Sequence, residues 1–199
     1  MSYRAHSTLL TTALALTLTA TSVDAGWSLD PERSHLAFVS IKAKDVGEVH
    51  SFREMTGTID DAGQVAVSMM LDSVETLVPI RNERMRELLF QTTDYEEATL
   101  TAKIDPETIL GMKTGDVAAL TAEGVLSLHG ATQPTTIDVL AAKLADDTVM
   151  VAATKPLIID AEKFGLSDGV EKLREIAGLE SISHAVPVSF VMTFVADGD

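Results

Sequence analysis

Apolar and polar residues alternate with a period of two along most of this chain, and no other feature limits its fold as strongly. The clearest case lies near the end of the sequence, where Val188, Phe190, Met192 and Phe194 occupy every second position. In a β-strand such residues share one face, and burial of that face forms the core. The chain is therefore expected to consist largely of strands that are buried on one side.

The same pattern recurs elsewhere and predicts about eight strands in all. They occupy segments 34–42, 48–60 (with a bend), 65–71, 100–104, 120–128, 137–141, 148–159 and 188–194. Short turn-forming stretches separate many of them, which favours an antiparallel meander. Eight such strands can close and remove their exposed edges. The predicted fold class is all-β, an eight-stranded antiparallel barrel.

The segment IRNERMRELLF at 80–90 departs from strand alternation and predicts a short helix. On a helical wheel Met85, Leu88 and Leu89 lie on one side, Arg81 lies close to that side, and Arg84 lies at its edge. One interpretation makes this helix a plug that closes a barrel end. The other makes it a lid over an apolar cavity, with Arg81 or Arg84 meeting the polar end of a ligand.

A second helical pattern falls within residues 161–180. Ser167 or Asp168 is expected to cap this helix, and Gly178 is expected to end it. The prediction is therefore a barrel with one or two short helices at its ends.

An eight-stranded barrel is either filled by its own side chains or holds one small ligand. Many residues on the predicted inner faces are small, among them Ala102, Ala122, Gly124, Ala141 and Ala153. Small inward residues leave space inside the barrel, so this pattern favours a cavity.

Residues 1–25 have the features of a secretory signal peptide. A start containing Arg4 precedes an uncharged apolar run, and Val23 and Ala25 supply the small residues that signal peptidase requires. The run spans about a dozen residues, whereas a bilayer core needs roughly 20. We expect cleavage after Ala25, export to the periplasm or the medium, no stable membrane anchor and a single domain over 26–199.

Composition excludes several classes of function. The net charge of −15 opposes binding to nucleic acid, and the absence of cysteine excludes thiolate metal sites and cysteine nucleophiles. The four histidines after the signal peptide are scattered and form no metal-binding pair, and no catalytic motif is present. We therefore predict neither a metal site nor catalytic residues.

Three segments resemble the YceI-like family. They read LDPERSHLAFVSIK at 29–42, SVETLVPIRNERMRELLF at 73–90 and VLSLHGATQPTTIDV at 125–139. The resemblance implies an elongated, lipocalin-like barrel in an exported protein. It also implies a central tunnel that binds a long isoprenoid, such as a polyprenyl or quinone tail, or another amphiphilic lipid. The helical segment 161–180 departs from the family pattern, in which a shorter loop is usual.

Alternation and position then predict which residues line the tunnel. Arg81 is expected at the polar end. The apolar lining is expected to comprise Phe38, Val67, Met69, Met85, Leu88, Leu89, Leu126, Phe190 and Met192. The expected partner is an amphiphilic lipid, no other cofactor is expected, and the oligomeric state stays open, with a dimer among the alternatives.

Two other functions compete with lipid binding. The first is a ligand-free interaction or stress module of the cell envelope, in which bulky side chains would pack the barrel shut. The second is an enzyme, a hydrolase or isomerase, that would use His129 with nearby carboxylates.

Overall fold

The computed structural model describes residues 26–198, and the predicted signal peptide at 1–25 lies outside the described residues. Within 26–198 the chain forms twelve strands. They are β1 (Trp27–Leu29), β2 (His35–Lys42), β3 (Val46–Phe52), β4 (Met55–Ile59), β5 (Gln64–Met70), β6 (Val74–Glu75), β7 (Glu97–Lys103), β8 (Val117–Leu128), β9 (Ala131–Ala145), β10 (Thr148–Ala153), β11 (Leu157–Asp160) and β12 (Ala185–Ala196).

Eight of these strands close into a barrel in which neighbouring strands are antiparallel. The ring runs β1, β4, β5, β7, β8, β9, β10 and β12, and β12 pairs back with β1 through Leu29 and Phe194. Closure leaves no free edge within the ring. The predicted fold class, an all-β eight-stranded barrel, is confirmed.

The remaining strands extend one end of the barrel. Three stretches of chain are each divided into one strand of the ring and one strand of this extension, namely β1 with β2, β4 with β3, and β10 with β11. A 3₁₀ turn at Pro31–Arg33 separates β1 from β2, yet both pair with β12. The segment predicted as one bent strand, 48–60, is two strands, and 148–159 is also divided, into β10 and β11. In the extension, the first part of β12 pairs with β11 on one side and with β2 on the other, and β3 and β6 follow β2.

Short helices cover both ends. Helix α1 (Pro79–Arg84) continues into a π-helical segment (Met85–Phe90), which packs against α3 (Ser167–Ile176) at the extended end. Helix α2 (Pro106–Leu110) covers the opposite end with its buried Ile109 and has no counterpart in the sequence prediction.

The expected side-chain cap of α3 is wrong. Leu166 precedes the helix, and no side-chain hydrogen bond caps it. Gly178 has a φ of +63°, so it takes the left-handed conformation expected at a helix stop. Within residues 26–198, no helix has both the length and the apolar character needed to span a bilayer.

Candidate functional site

The middle of the barrel contains a cavity of about 140 Å³, which we call the central cavity. Its lining is apolar throughout. Strand β12 contributes Val188, Phe190 and Met192, and β5 contributes Val67 and Met69. Because these residues occupy alternate positions of their strands, the period-two pattern of the sequence creates this surface directly.

A smaller cavity of about 70 Å³, the far cavity, lies beyond the central cavity towards α2. Val67, Phe190 and Met192 line both cavities, so the two are adjacent. Ile109 of α2 and Phe194 of β12 also line the far cavity. The apolar interior therefore continues past the middle of the barrel.

A third cavity of about 170 Å³, the charged-end cavity, lies on the other side, beneath α1 and α3. Phe38, Leu89 and Val170 separate it from the central cavity, since they line both. It alone among the three has charged side chains in its lining. The polar and charged lining residues are Ser40, Lys42, Glu48, His50, Arg81, Arg84 and Ser183.

The three cavities form a row with charge at one end only. An interior of this kind contradicts the expectation for a ligand-free module, which required a barrel packed shut by bulky side chains. Protein interiors normally contain few voids larger than a water molecule, so a row of cavities in one barrel requires an explanation.

Arg81 is fixed at the charged end by two hydrogen bonds. Its Nη1 donates to Glu48 Oε2 at 2.7 Å, and its Nη2 donates to the Thr76 carbonyl oxygen at 2.7 Å. Lys42 Nζ lies 3.0 Å from the same Glu48 oxygen. One carboxylate therefore holds two cations at the edge of the cavity.

The pKa of Glu48 reflects this arrangement. Burial alone would raise its pKa, but the hydrogen bond from Lys42 and the charges of Arg81 and Lys42 hold it below its ordinary value. Glu48 is therefore ionised at neutral pH, and the ion pairs persist.

His50 lies where the charged end meets the apolar interior. Its side chain is buried, its ring is 5.2 Å from the Phe38 ring, and its Nε2 is 2.8 Å from Ser40 Oγ. Burial and the positive charge of Arg81 lower the pKa of His50, although Glu48 acts in the opposite direction. The imidazole is thus neutral at neutral pH.

The structure places all but one of the predicted lining residues on the cavities. Arg81 and Met85 line the charged-end cavity, and Phe38 and Leu89 lie between it and the central cavity. The others line the central cavity, and these are Val67, Met69, Leu126, Phe190 and Met192.

Leu88 is the exception, and its predicted place in the lining is wrong. Residues 85–90 form a π-helical segment, in which each turn contains more residues than an α-helical wheel assumes. With this geometry Leu88 is half-buried but lines none of the three cavities, and Phe90 is buried on the central cavity instead.

The small residues explain only part of the space. Ala102 and Ala122 line the far cavity, as expected from their size. Gly124 instead permits the close approach of the neighbouring strand, because a Cβ there would lie 2.4 Å from the Thr101 carbonyl oxygen. Ala98, which is not among the small residues predicted to face inward, lines the central cavity.

Sequence reasoning missed the polar lining of β3. Glu48, His50 and Phe52 share the inner face of this strand, while the apolar Val49 is exposed. Alternation alone does not assign the inner face here, because both faces carry apolar side chains: Val46 and Phe52 on one and Val49 on the other. The register of β3 against β2, in which His50 lies opposite the buried Phe38, directs the residues at 48 and 50 inward.

His129, the candidate base of the enzyme alternative, lies outside the three cavities. Its Nδ1 is 3.3 Å from the Phe164 carbonyl oxygen, and its ring is 4.2 Å from the ring of Tyr95. It contacts no carboxylate among the hydrogen bonds of residues 26–198. In the same part of the chain, no group of three or more acidic or histidine side chains is arranged to hold a metal ion.

Solved structures with the same architecture come from several bacteria. A polyisoprenoid-binding domain from Saccharophagus degradans, implicated in plant cell wall breakdown, is 36% identical, has a TM-score of 0.84, and the match covers 86% of this chain and 98% of that one. BcnA of Burkholderia cenocepacia is 17% identical with a TM-score of 0.61, over 83% of this chain and 98% of that one. A Campylobacter jejuni YceI protein is 15% identical with a TM-score of 0.53, over 75% and 85% respectively. No curated protein matches the chain.

Closure of eight antiparallel strands around an apolar interior defines a cavity-bearing β-barrel. Residues 27–194 match the YceI-like domain. The chain belongs to the YceI-like family, and the resemblance seen in the three sequence segments is confirmed.

Proposed function

We propose that this protein binds one long-chain isoprenoid, or a similar amphiphilic lipid, inside the barrel. The observation that carries this proposal is the row of three adjacent cavities, apolar in the centre and at the far end and charged at the other. The apolar chain would occupy the central and far cavities, and the polar head would lie near Arg81.

Burial of the chain supplies the affinity. Each CH₂ moved from water into an apolar cavity contributes about 0.8 kcal/mol, so several isoprene units bind firmly without a hydrogen bond. The Saccharophagus degradans domain, a polyisoprenoid-binding relative at 36% identity, supports the choice of ligand class. No catalytic step is needed, and the proposed activity is binding alone.

Chain length provides the direct test. Prenols from geraniol to solanesol are used to displace a fluorescent apolar probe from the purified protein. Affinity is expected to rise with each added isoprene unit until the chain fills the cavities, and then to level off. Absence of displacement by any prenol, or an affinity independent of chain length, would overturn the proposal.

The proposed place of action is the periplasm or the medium, and the proposed role is that of a carrier. The predicted signal peptide at 1–25 supports export. The test is fractionation of the native host followed by mass spectrometry of the intact protein. A mature chain that begins at Gly26 in the exported fraction supports the proposal, whereas a full-length chain confined to the cytoplasm contradicts it.

A further inference from the structure

Five exposed apolar side chains lie at the extended end of the barrel, and we call them the apolar tip. They are Val49, Leu77, Val78, Pro79 and Ile80. Leu77 is 86% exposed, and Val49 of β3 is 66% exposed. Ser51 of β3 pairs with Glu75 of β6, and this register, continued by two residues, brings positions 49 and 77 to the same point of the sheet edge. A run of exposed apolar residues is unfavourable in water unless it serves to bind something.

Hydrogen bonds hold Leu77 in a strained conformation at this exposed position. Its φ is +62°, in the left-handed region that a leucine rarely adopts. The Leu77 N–H donates to Glu75 Oε1, and the N–H of the buried Thr76 donates to Asn82 Oδ1 at 2.9 Å. Asparagine or glycine would fit this conformation with less strain. An apolar residue kept there at an energetic cost indicates a function for its side chain.

The size and shape of the tip favour a membrane over a second protein chain. A stable interface between two proteins buries about 800 Å² on each partner and takes about 20–30 residues from each. The tip is far smaller, and the exposure of Leu77 shows that it projects from the surface. A bilayer needs no complementary shape, and it accepts short apolar segments at the boundary between head groups and acyl chains.

The charge around the tip identifies the kind of membrane. With a net charge of −15, the chain as a whole is repelled by anionic lipid surfaces. Segment 75–90, which contains most of the tip, is by contrast neutral. Its charged residues are Glu75, Glu83 and Glu87, balanced by Arg81, Arg84 and Arg86. A neutral segment meets no repulsion at a bilayer whose head groups carry no net charge, so zwitterionic phospholipid is the surface that this end of the barrel fits best.

We propose that the apolar tip docks this protein reversibly on a zwitterionic phospholipid bilayer. The inference rests on the proposed function, since a carrier of a membrane lipid has to meet a membrane, and it adds the surface that does so. Helix α1 begins at Pro79, within the tip, and continues into the π-helical segment over the end of the barrel. Insertion of the tip therefore brings this end of the barrel against the head groups. Because few side chains insert, docking is weak and reversible.

Flotation with vesicles of phosphatidylcholine tests the proposal. The wild-type protein should float with the vesicles to an extent that rises with lipid concentration. Because apolar insertion is insensitive to screening, the bound fraction should change by less than about twofold between low and high salt. A severalfold fall in binding at high salt would show that charge, and not the apolar tip, holds the protein, and would overturn the proposal.

Two variants each replace one apolar side chain of the tip, and a third serves as control. Leu77→Asn and Ile80→Gln should each reduce vesicle binding about tenfold, because several CH₂ groups no longer leave water. Leu110 of α2 is 57% exposed at the opposite end of the barrel, so Leu110→Gln should bind vesicles as the wild type does. Leu77→Asn should also be at least as stable to urea as the wild type, since asparagine tolerates the left-handed conformation.

A second measurement separates the tip from the proposed function. Displacement of the fluorescent apolar probe by prenols, without vesicles, should be the same in Leu77→Asn and wild type, because Leu77 lines none of the three cavities. A wild-type protein that binds prenols but not vesicles overturns the docking surface and leaves the proposed function standing. Failure to bind any prenol overturns the proposed function, and flotation still decides on the tip.

The remaining outcomes concern the tip alone. Vesicle binding that is unchanged in both tip variants overturns its role. A dimer, seen by analytical ultracentrifugation, that Leu77→Asn dissociates also overturns the proposal, since the tip would then be an interface between two copies of the chain. Should Leu77→Asn fail to fold, Ile80→Gln decides the question alone.

Discussion

Gly169 of α3 lies against the backbone of Leu88 in the π-helical segment. A Cβ at position 169 would stand 2.7 Å from the Leu88 carbonyl oxygen and 2.8 Å from the Leu89 Cα. Only a residue without a side chain permits this approach. The contact joins the two helical segments into one cover over the charged end of the barrel, and it places Leu89 on the cavities.

Gly169→Ala should therefore destabilise the protein even though alanine is the better helix former. Helix propensity alone would favour alanine by about 1 kcal/mol. The added methyl group meets backbone atoms that cannot move independently, and overpacking of this kind typically costs about 1–3 kcal/mol. Urea unfolding measures the difference. Lys172→Ala, on the exposed side of the same helix, should change the free energy of unfolding by less than about 0.5 kcal/mol. A Gly169→Ala protein as stable as wild type would contradict the packing described.

Leu89 and Leu88 form a matched pair for testing the lining. Leu89 lines both the charged-end and the central cavity, whereas Leu88 lines neither. Truncation of Leu89 to alanine removes three carbons from the contact surface, so Leu89→Ala should weaken prenol binding about tenfold or more. Leu88→Ala should leave the affinity within about twofold, since its side chain is outside the cavities. Equal losses of affinity in the two variants would show that the lining is wrongly assigned.

Val67 tests the continuity of the tunnel. It lines both the central and the far cavity, and its side chain is buried. Val67→Phe should obstruct the passage between them, so the affinity for prenols should stop rising at a shorter chain length than in the wild-type protein. Ala66→Phe is the control, because residue 66 is exposed on the opposite face of the same strand. Identical length dependence in both variants would contradict a continuous tunnel.

His50 should give the folded protein a specific dependence on pH. Its pKa is lowered by burial and by the charges of Arg81 and Lys42, with Glu48 opposing, from an ordinary value of 6.5. Below pH 6.5 the unfolded chain protonates this imidazole while the folded chain does not. The contribution of the neutral His50 imidazole to the free energy of unfolding is therefore fully present above pH 6.5. It is lost as the pH falls from 6.5 towards the lowered pKa, and below that pKa no further loss occurs.

His50→Gln removes this titration. Above pH 6.5 the difference in the free energy of unfolding between wild type and variant should be constant. As the pH falls below 6.5, the wild-type protein should lose stability relative to the variant. Urea unfolding at a series of pH values measures it. Parallel curves for the two proteins across this range would contradict a lowered pKa at His50.

The barrel could be predicted from the sequence because alternation is enforced by burial of one face. The inner residues of β12, Val188 to Phe194, line the cavities in order from the central to the far one. Breaks within strands were harder to foresee. Alternation of apolar and polar residues continues on both sides of the turn at Pro31–Arg33 and of the break within 148–159. The alternation therefore does not reveal where these strands are interrupted.

The site was predictable only where side chains follow a regular period. Leu88 was misplaced because a π-helical segment changes the angle between successive residues, and no residue type in MRELLF signals that change. His50 was missed because a histidine between Val49 and Ser51 gives no sign of its direction. Its position depends on the register of β3 against β2, where it lies opposite Phe38.

Native mass spectrometry of the protein purified gently from its own host tests the central claim most directly. If the cavities house an isoprenoid chain, the spectrum should contain a species whose excess mass equals one lipid per chain, and organic extraction should release a polyprenyl compound of that mass. Val67→Phe, purified in parallel, should carry less of this lipid or a shorter one. A wild-type protein that is reproducibly free of any bound lipid, or whose bound lipid is unaffected by Val67→Phe, would contradict the claim that these cavities house an isoprenoid chain.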